Sequence, residues 1–109
     1  TMRHLTLICM AGISTSLLVN KMKRLIRNEN FEIAVTAMSE RAFQGYTGQT
    51  DVLLLGPQLG HRFESLKEQY ESKGIHIDRI DPEHFGAMDA KAVLEQAFPD
   101  LSLFLYTSD

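Results

Sequence analysis

The sequence predicts a single α/β domain: a three-layer αβα sandwich in which a four-stranded parallel sheet carries helices on both faces. The chain has 109 residues, the size of one compact domain. Segments rich in β-branched and aliphatic residues alternate with segments of helical periodicity, and this alternation is typical of parallel sheets with right-handed crossovers. The run Val52–Leu55 is continuously apolar, as expected of a central strand buried on both faces.

The first strand and helix are predicted from the opening third of the chain. Arg3–Cys9 reads as a strand, and Met10–Ser14 as a turn that leads into a helix ending near Asn28. Hydroxyl side chains at the start of that helix can accept hydrogen bonds from its first amides. Apolar positions spaced by three or four residues form its predicted core face: Leu17, Leu18, Met22, Leu25 and Ile26.

The middle of the chain supplies two further strands and a short helix. Ile33–Met38 is rich in β-branched residues and is predicted as the second strand. Ser39 is a candidate N-cap for a short helix over Glu40–Gln44. The third strand, Val52–Leu55, is expected to end at Gly56-Pro57, because proline cannot continue a central strand.

The last third predicts two helices around one short strand. A helix is expected over Arg62–Lys73, a strand over His76–Ile80 and a loop over Asp81–Met88. Asp89 can cap a final helix, and the chain from Leu105 to Asp109 is expected to fray. The apolar residues of that final helix are Val93, Leu94, Ala97 and Phe98. No linker or repeat divides the chain, so residues 1–109 are predicted to form one domain.

Composition excludes several classes of protein. With 44% apolar and 23% charged residues the chain resembles an ordinary globular domain and not a disordered one. Its apolar runs are far shorter than the roughly 20 residues that span a bilayer, and no signal-peptide pattern opens it. We therefore expect a cytoplasmic protein that does not insert into a membrane. The net charge of −3 disfavours nucleic-acid binding.

The charge is unevenly distributed. Residues 1–28 hold five basic and no acidic side chains, whereas residues 29–109 carry a balance of −8. Because residues 1–28 contain no carboxylate side chain, this part of the chain would not repel an anion. Much of this charge nevertheless falls on the second half of the first helix, where cations complement the C-terminal dipole.

The cysteine and histidine content argues against metals and cofactors. Cys9 is the single cysteine, so the chain can form neither an internal disulfide nor a thiolate-rich zinc site. His4, His76 and His84 show no paired spacing for a metal, and His61 is best interpreted as an ordinary exposed side chain. We predict no metal and no cofactor.

Cys9 nevertheless lies where a ligand-binding or catalytic site is expected. Ligands of open parallel sheets bind beyond the carboxyl ends of the strands, and Cys9 ends the first predicted strand. The residues that follow it combine a glycine with three hydroxyls: Met10, Ala11, Gly12, Ile13, Ser14, Thr15 and Ser16. The amides of such a loop can converge on a phosphate, and the same field would make the Cys9 thiol unusually acidic. Cys9 is therefore a candidate nucleophile for attack on phosphorus.

Three functions fit this arrangement. The first is a phosphotransfer enzyme that works through phosphocysteine. The second is a low-molecular-weight cysteine phosphatase or arsenate-reductase-like enzyme, but such a loop has an arginine clamp where this chain has Thr15. Asp81 or Asp89 would be the candidates for its general acid. The third is a non-enzymatic α/β binding domain in which Cys9 is only packed.

Three segments resemble one known family. Leu7–Val19, which contains Cys9, resembles the active-site segment of the IIB component of the sugar phosphotransferase system, lactose/cellobiose class. Leu53–Gln58 is similar to its third-strand segment, and Phe85–Asp89 with the following Val93-Leu94 is similar to its final loop and helix. The resemblance covers residues 3–98 in the order of the family, and residues 99–109 form a C-terminal extension.

The resemblance implies a phosphocarrier that acts at the inner face of the membrane. Cys9 would accept a phosphoryl group from a phosphohistidine of a IIA protein and pass it to a sugar held by the membrane IIC component. The enzyme would then be a protein-phosphohistidine–sugar phosphotransferase, and the sugar a cellobiose-, lactose- or chitobiose-like oligosaccharide. Met10–Ser16 would be its phosphate-binding loop.

Further residues are expected at the partner surface. Gly56, Pro57 and Gln58 should lie near the cysteine, with Gln58 contacting the phosphocysteine or a partner. Met10 and Ile13 depart from the residues expected in this family, and we expect both to help form the docking surface.

Overall fold

A four-stranded parallel sheet organises the chain. The fold is described from a computed structural model for residues 1–10 and 13–105 and, at residues 13 and 14, for the backbone alone. The strands are β1 (Arg3–Ile8), β2 (Ile33–Met38), β3 (Val52–Leu55) and β4 (His76–Arg79). The α-helices are α1 (Ile13–Glu29), α2 (Glu40–Gln44), α3 (Phe63–Glu71), α4 (Pro82–Gly86), α5 (Ala90–Ala97) and α6 (Ser102–Leu105). Two 3-10 helices span Pro57–Arg62 and Pro99–Leu101.

The strand order is β2-β1-β3-β4, so β1 and β3 are central. Ile8 at the end of β1 pairs with Met38 of β2 on one side and with Leu55 of β3 on the other. The chain after Ile8 therefore leaves the sheet between two neighbouring strands at their carboxyl ends.

Each face of the sheet has its own apolar core, because alternate side chains of a strand point to opposite faces. On one face, Leu5, Leu7 and Leu54 pack with residues of α1 and α5. On the other face, Ile8, Leu53 and Leu55 pack with the buried residues of α2 and α3, which are Phe43, Leu66 and Tyr70. The predicted αβα sandwich is confirmed.

Two local predictions are wrong. The expected loop over Asp81–Met88 contains helix α4, which begins at Pro82 after Asp81 caps it by accepting a 2.8 Å hydrogen bond from the Glu83 amide. The frayed tail was expected from Leu105, but the chain is packed at that point, with Leu101 and Leu105 each only 3% exposed. Residues 106–109 of that prediction lie outside the described residues.

Some boundaries also shift by one or two residues. Helix α3 begins at Phe63 after a 3-10 turn and ends at Glu71, inside the predicted range. Strands β1 and β4 end at Ile8 and Arg79, one residue before their predicted ends. Within residues 1–10 and 13–105, no helix combines the length and apolarity needed to cross a membrane.

Candidate functional site around Cys9

Cys9 lies at the carboxyl edge of the sheet, held by both neighbouring strands. Its amide donates to the Met38 carbonyl at 3.1 Å, and the Gly56 amide donates to the Ile8 carbonyl at 2.9 Å. These two hydrogen bonds extend the ladder one residue past β1 and fix the Cys9 backbone. The residue is only 4% exposed.

Cys9 also lines a cavity whose lining includes three residues with hydroxyl side chains. The cavity has a volume of about 210 Å³, and its lining includes Cys9, Thr15, Ser16 and Ser39, with Ala37, Met38 and Met10 completing it. Ser39 caps α2 by accepting a 3.1 Å hydrogen bond from the Ala42 amide, which leaves its hydroxyl proton available to donate. Three hydroxyls from two helix starts therefore surround the space next to the thiol.

The acidity of Cys9 differs from the prediction. Burial raises the pKa of the Cys9 thiol above its ordinary value of 9.0, because a thiolate loses hydration there. Hydrogen bonding from the Thr15 side chain and the Gly56 backbone opposes this increase without overcoming it. The expected unusually acidic thiol is therefore wrong for this structure, in which Cys9 is protonated at neutral pH.

Gly56 lies directly against Cys9, and the Gln58 side chain lies close to Gly56. A Cβ atom built on Gly56 would lie 3.3 Å from Cys9 Sγ and 3.1 Å from Gln58 Oε1. The Gln58 carboxamide oxygen and the Cys9 sulfur therefore both border the space that a side chain at Gly56 would fill. Pro57 begins the 3-10 turn that places Gln58 there.

Other predicted residues are located as follows. Ala11 and Gly12 lie outside the described residues, and Ile13 and Ser14 open α1 but are described in their backbone alone. Thr15 is buried beside Cys9, whereas Met10 is 62% exposed at the rim. His61 is exposed, as expected. In the described part of the chain, no group of three or more His, Cys, Asp or Glu residues could hold a metal ion.

Leu17 is a surface residue that the sequence interpretation assigned to the core. It is 51% exposed, whereas Leu18 and Met22 on the same helix are fully buried. Successive helical residues are about 100° apart, so Leu17 and Leu18 cannot both face the sheet. Leu17 and Met10 are thus two exposed apolar residues in this part of the chain, and Met10 lines the cysteine cavity.

Comparison with known proteins places the chain in a family. The model for "PTS system, Lactose/Cellobiose specific IIB subunit" matches residues 5–96. The chain belongs to the lactose/cellobiose-specific IIB family of the phosphotransferase system. The matched residues include Cys9, most of β1 and all of β2, β3 and β4.

Individual IIB proteins agree with this assignment. The oligo-β-mannoside-specific EIIB component of Bacillus subtilis (strain 168) is 31% identical over 96 residues, covering 88% of this chain and 93% of that protein. The cellobiose-specific EIIB component of Lactococcus lactis subsp. lactis (strain IL1403) is 33% identical over 98 residues, covering 85% of this chain and 91% of that protein. A galactose-specific EIIB component from Lactococcus lactis subsp. cremoris (strain MG1363) is also 33% identical over 98 residues, with the same two coverages of 85% and 91%.

Solved structures show the same fold. The solution structure of a cellobiose-specific IIB component from Borrelia burgdorferi superposes with a TM-score of 0.75 at 30% identity, covering 91% of each chain. The lactose-specific IIB domain from Streptococcus pneumoniae gives 0.72 at 16% identity, covering 90% of this chain and 99% of that one. The chain is therefore a IIB-type component of sugar phosphotransfer, a system in which such components work with IIA and IIC proteins.

Proposed function

We propose that the chain is a phosphocarrier whose phosphoryl acceptor is Cys9. The observation that carries the proposal is the position of this one cysteine, at the carboxyl edge of the sheet beside a cavity lined with hydroxyls. Membership of the IIB family supplies the reaction class. The cavity volume of about 210 Å³ accommodates a phosphoryl group but leaves little room for a sugar beside it.

In the first transfer, Cys9 Sγ attacks the phosphorus of a phosphohistidine on a IIA protein. The S–P bond forms as the P–N bond breaks, and the departing imidazole nitrogen takes a proton. Because burial raises the pKa of the Cys9 thiol, that proton is still on sulfur when the donor docks. The balance is complete within the pair: the cysteine loses a proton and gains a phosphoryl group, and the histidine does the reverse.

The surroundings of Cys9 suit the charge that then appears. A phosphocysteine carries anionic oxygens, and hydroxyls of Thr15, Ser16 and Ser39 border the cavity as hydrogen-bond donors. The N-terminus of the 17-residue helix α1 adds positive potential. We assign the phosphate-binding loop to Met10–Ser16, with backbone amides as its main donors. We assign Gln58 to contact the phosphocysteine or a partner protein.

In the second transfer, a hydroxyl group of the sugar that the IIC component holds attacks the phosphorus of phosphocysteine. The O–P bond forms as the S–P bond breaks, and the thiol is restored once sulfur takes up a proton. The related proteins named above are specific for oligo-β-mannosides, cellobiose and galactose. We propose a cellobiose-, lactose- or chitobiose-like sugar, and a cytoplasmic chain that acts at the inner face of the membrane.

Intact-mass spectrometry tests the proposal. The chain is incubated with a phosphorylated IIA protein of the lactose/cellobiose class, and its mass is measured with time. One phosphoryl group should be added, and Cys9→Ser should remove the adduct while Ser65→Ala, a variant of an exposed residue on α3, keeps it. An adduct that persists in Cys9→Ser would refute Cys9 as the acceptor, and steady hydrolysis of an aryl phosphate would favour the phosphatase alternative.

A further inference from the structure

An ion pair joins the two segments that leave the sheet on either side of Cys9. Arg62 ends the 3-10 helix that follows β3, and Glu40 begins α2, which follows β2. Arg62 Nε donates to Glu40 Oε1 at 3.1 Å, and Arg62 Nη2 donates to Glu40 Oε2 at 2.8 Å. This two-point contact with a planar guanidinium fixes the direction of the carboxylate as well as its distance.

Glu40 follows directly after the wall of the cysteine cavity. Its neighbour Ser39 lines that cavity, and the Met38 carbonyl accepts a 3.1 Å hydrogen bond from the Cys9 amide. Because consecutive Cα atoms are about 3.8 Å apart, the Cα atom of Glu40 is within about 7.6 Å of that of Met38. Glu40 therefore lies at a distance from Cys9 that is comparable with the Debye length of about 8–10 Å at moderate salt.

An unpaired carboxylate at this position would oppose the phosphorylated state of the chain. None of the residues that line the cavity is acidic. A phosphorylated side chain carries a charge of about −1.5 to −2 near neutral pH, whereas the protonated thiol of Cys9 carries none. Repulsion from a free Glu40 carboxylate would thus act on the phosphocysteine and not on the thiol. It would lower the fraction of chains that are phosphorylated at equilibrium.

Arg62 offsets this negative charge. An ordinary glutamate is already ionised at neutral pH, and hydrogen bonding from Arg62 lowers the pKa of Glu40 further. The ion pair is neutral overall, so at the distance of the phosphoryl group it repels an anion far less than a lone carboxylate does. The direct contribution of such a partly exposed pair to folding is small, because solvent screens it. Its larger effect is therefore expected in the phosphorylated state.

We propose that Arg62 is a positioning residue for the phosphoryl site: it holds and neutralises the Glu40 carboxylate, and so stabilises the phosphorylated form of Cys9. This inference rests on the proposed function. Arg62 acts through Glu40 and has no contact of its own with the reacting atoms in this arrangement. Its removal should therefore be harmful because a charge is left uncompensated, and removing that charge as well should cancel the harm.

The equilibrium of phosphoryl transfer from a phosphorylated IIA protein of the lactose/cellobiose class tests the inference. The phosphorylated fraction of the chain is measured by intact-mass spectrometry at low and high salt. Measurements at pH 8 keep the nearby His61 out of the comparison, because histidine changes charge mainly between pH 5 and 8. The variants are Arg62→Gln, Glu40→Gln and the two together. Lys67→Gln is the matched control, since it frees the Glu71 carboxylate of a 4.0 Å pair within α3.

We expect effects of opposite sign in the two single variants. In Arg62→Gln the equilibrium constant for phosphorylation of Cys9 should fall about three- to tenfold at low salt, and the loss should shrink at high salt because repulsion is screened. Glu40→Gln leaves the arginine unpaired and should raise this constant. The double variant has the net charge of the unmodified chain and should restore its equilibrium constant, whereas Lys67→Gln should change it little.

A purely structural ion pair would give a different pattern. Both single variants and the double variant would then lose phosphorylation to a similar extent, and the inference would be overturned. Equal losses in Arg62→Gln and Lys67→Gln would overturn it as well. Phosphorylation of Cys9 with an unchanged equilibrium constant in Arg62→Gln would overturn the inference and leave the phosphocarrier standing. If the unmodified chain takes up no phosphoryl group, the proposed function fails and the inference fails with it.

Discussion

Gly56 offers a direct test of how tightly the Cys9 site is packed. Its backbone angles, φ −61° and ψ 154°, are accessible to alanine, so Gly56→Ala adds a methyl group without backbone strain. That methyl carbon would lie 3.3 Å from Cys9 Sγ and 3.1 Å from Gln58 Oε1. Gln58 is exposed and can move away, but the Cys9 side chain is buried and must shift by a few tenths of an ångström.

The expected cost follows from two opposing effects. Overpacking a buried site costs about 1–3 kcal/mol, whereas replacing glycine by alanine stabilises by about 0.4–1 kcal/mol through the unfolded chain. The net loss in the free energy of unfolding should be about 1 kcal/mol. For a domain of this size that corresponds to a fall in Tm of roughly 4 °C. Under the proposed function, displacing the Cys9 sulfur should also slow phosphoryl transfer to Cys9 about tenfold.

Urea unfolding and the rate of phosphorylation by IIA measure these two effects. Gly86→Ala is the matched control, because a Cβ at Gly86 meets no atom within 4 Å, and it should be neutral or slightly stabilising. In a Cys9→Ala background, Gly56→Ala should lose most of its cost, since the sulfur that the methyl meets is gone. Wild-type stability and transfer rate in Gly56→Ala would refute the tight packing inferred here.

Three further predictions concern acidity, an ion pair and the C-terminal segment. Because burial raises the pKa of the Cys9 thiol above 9.0, alkylation by iodoacetamide should stay slow at neutral pH and accelerate only above pH 9; fast alkylation at pH 7 would contradict this. Because this pKa is raised in the folded state, the free energy of unfolding is highest below pH 9 and falls as the pH rises through the pKa of the folded state. Urea unfolding should detect this loss of stability in the unmodified chain but not in Cys9→Ala. Arg62 lowers the pKa of Glu40 below 4.5 through hydrogen bonds of 2.8 and 3.1 Å, so Arg62→Gln should slightly destabilise the fold to urea at pH 7 and have no effect once Glu40 is protonated at low pH. Leu105→Ala should lower the free energy of unfolding, measured in urea, by about 2 kcal/mol, whereas Leu103→Ala, at an exposed position, should lower it by less than about 0.5 kcal/mol. Equally small losses in both variants would instead support the prediction that the chain frays from Leu105.

Local signals in the sequence were sufficient for most of the fold. Ser39 and Asp89 are N-caps as predicted, accepting hydrogen bonds from Ala42 and Ala92. The four strands occur where β-branched and apolar runs predicted them. These features depend on residues within one or two turns of each other, and such short-range preferences can be read directly from the chain.

Three predictions failed where distant parts of the chain decide the outcome. Leu17 has the spacing of a core residue, yet it is exposed because Leu18 and Met22 occupy the face that meets the sheet. Leu105 lies near the chain end, yet it is buried because the C-terminal segment folds back onto the core of α1 and α5. The acidity of Cys9 was misjudged because its desolvation depends on the strands that flank it.

The sequence by itself determined the position of one cysteine between a strand and a hydroxyl-rich helix start. Only the tertiary structure decided how closely Gly56 approaches the thiol and that Ser39 borders the same cavity. It also brought Lys91 of α5 opposite Lys21 and Arg24 of α1. The physical reason is that parallel strands bring their carboxyl ends to one edge and neighbouring helices to one face, however far apart they are in the chain.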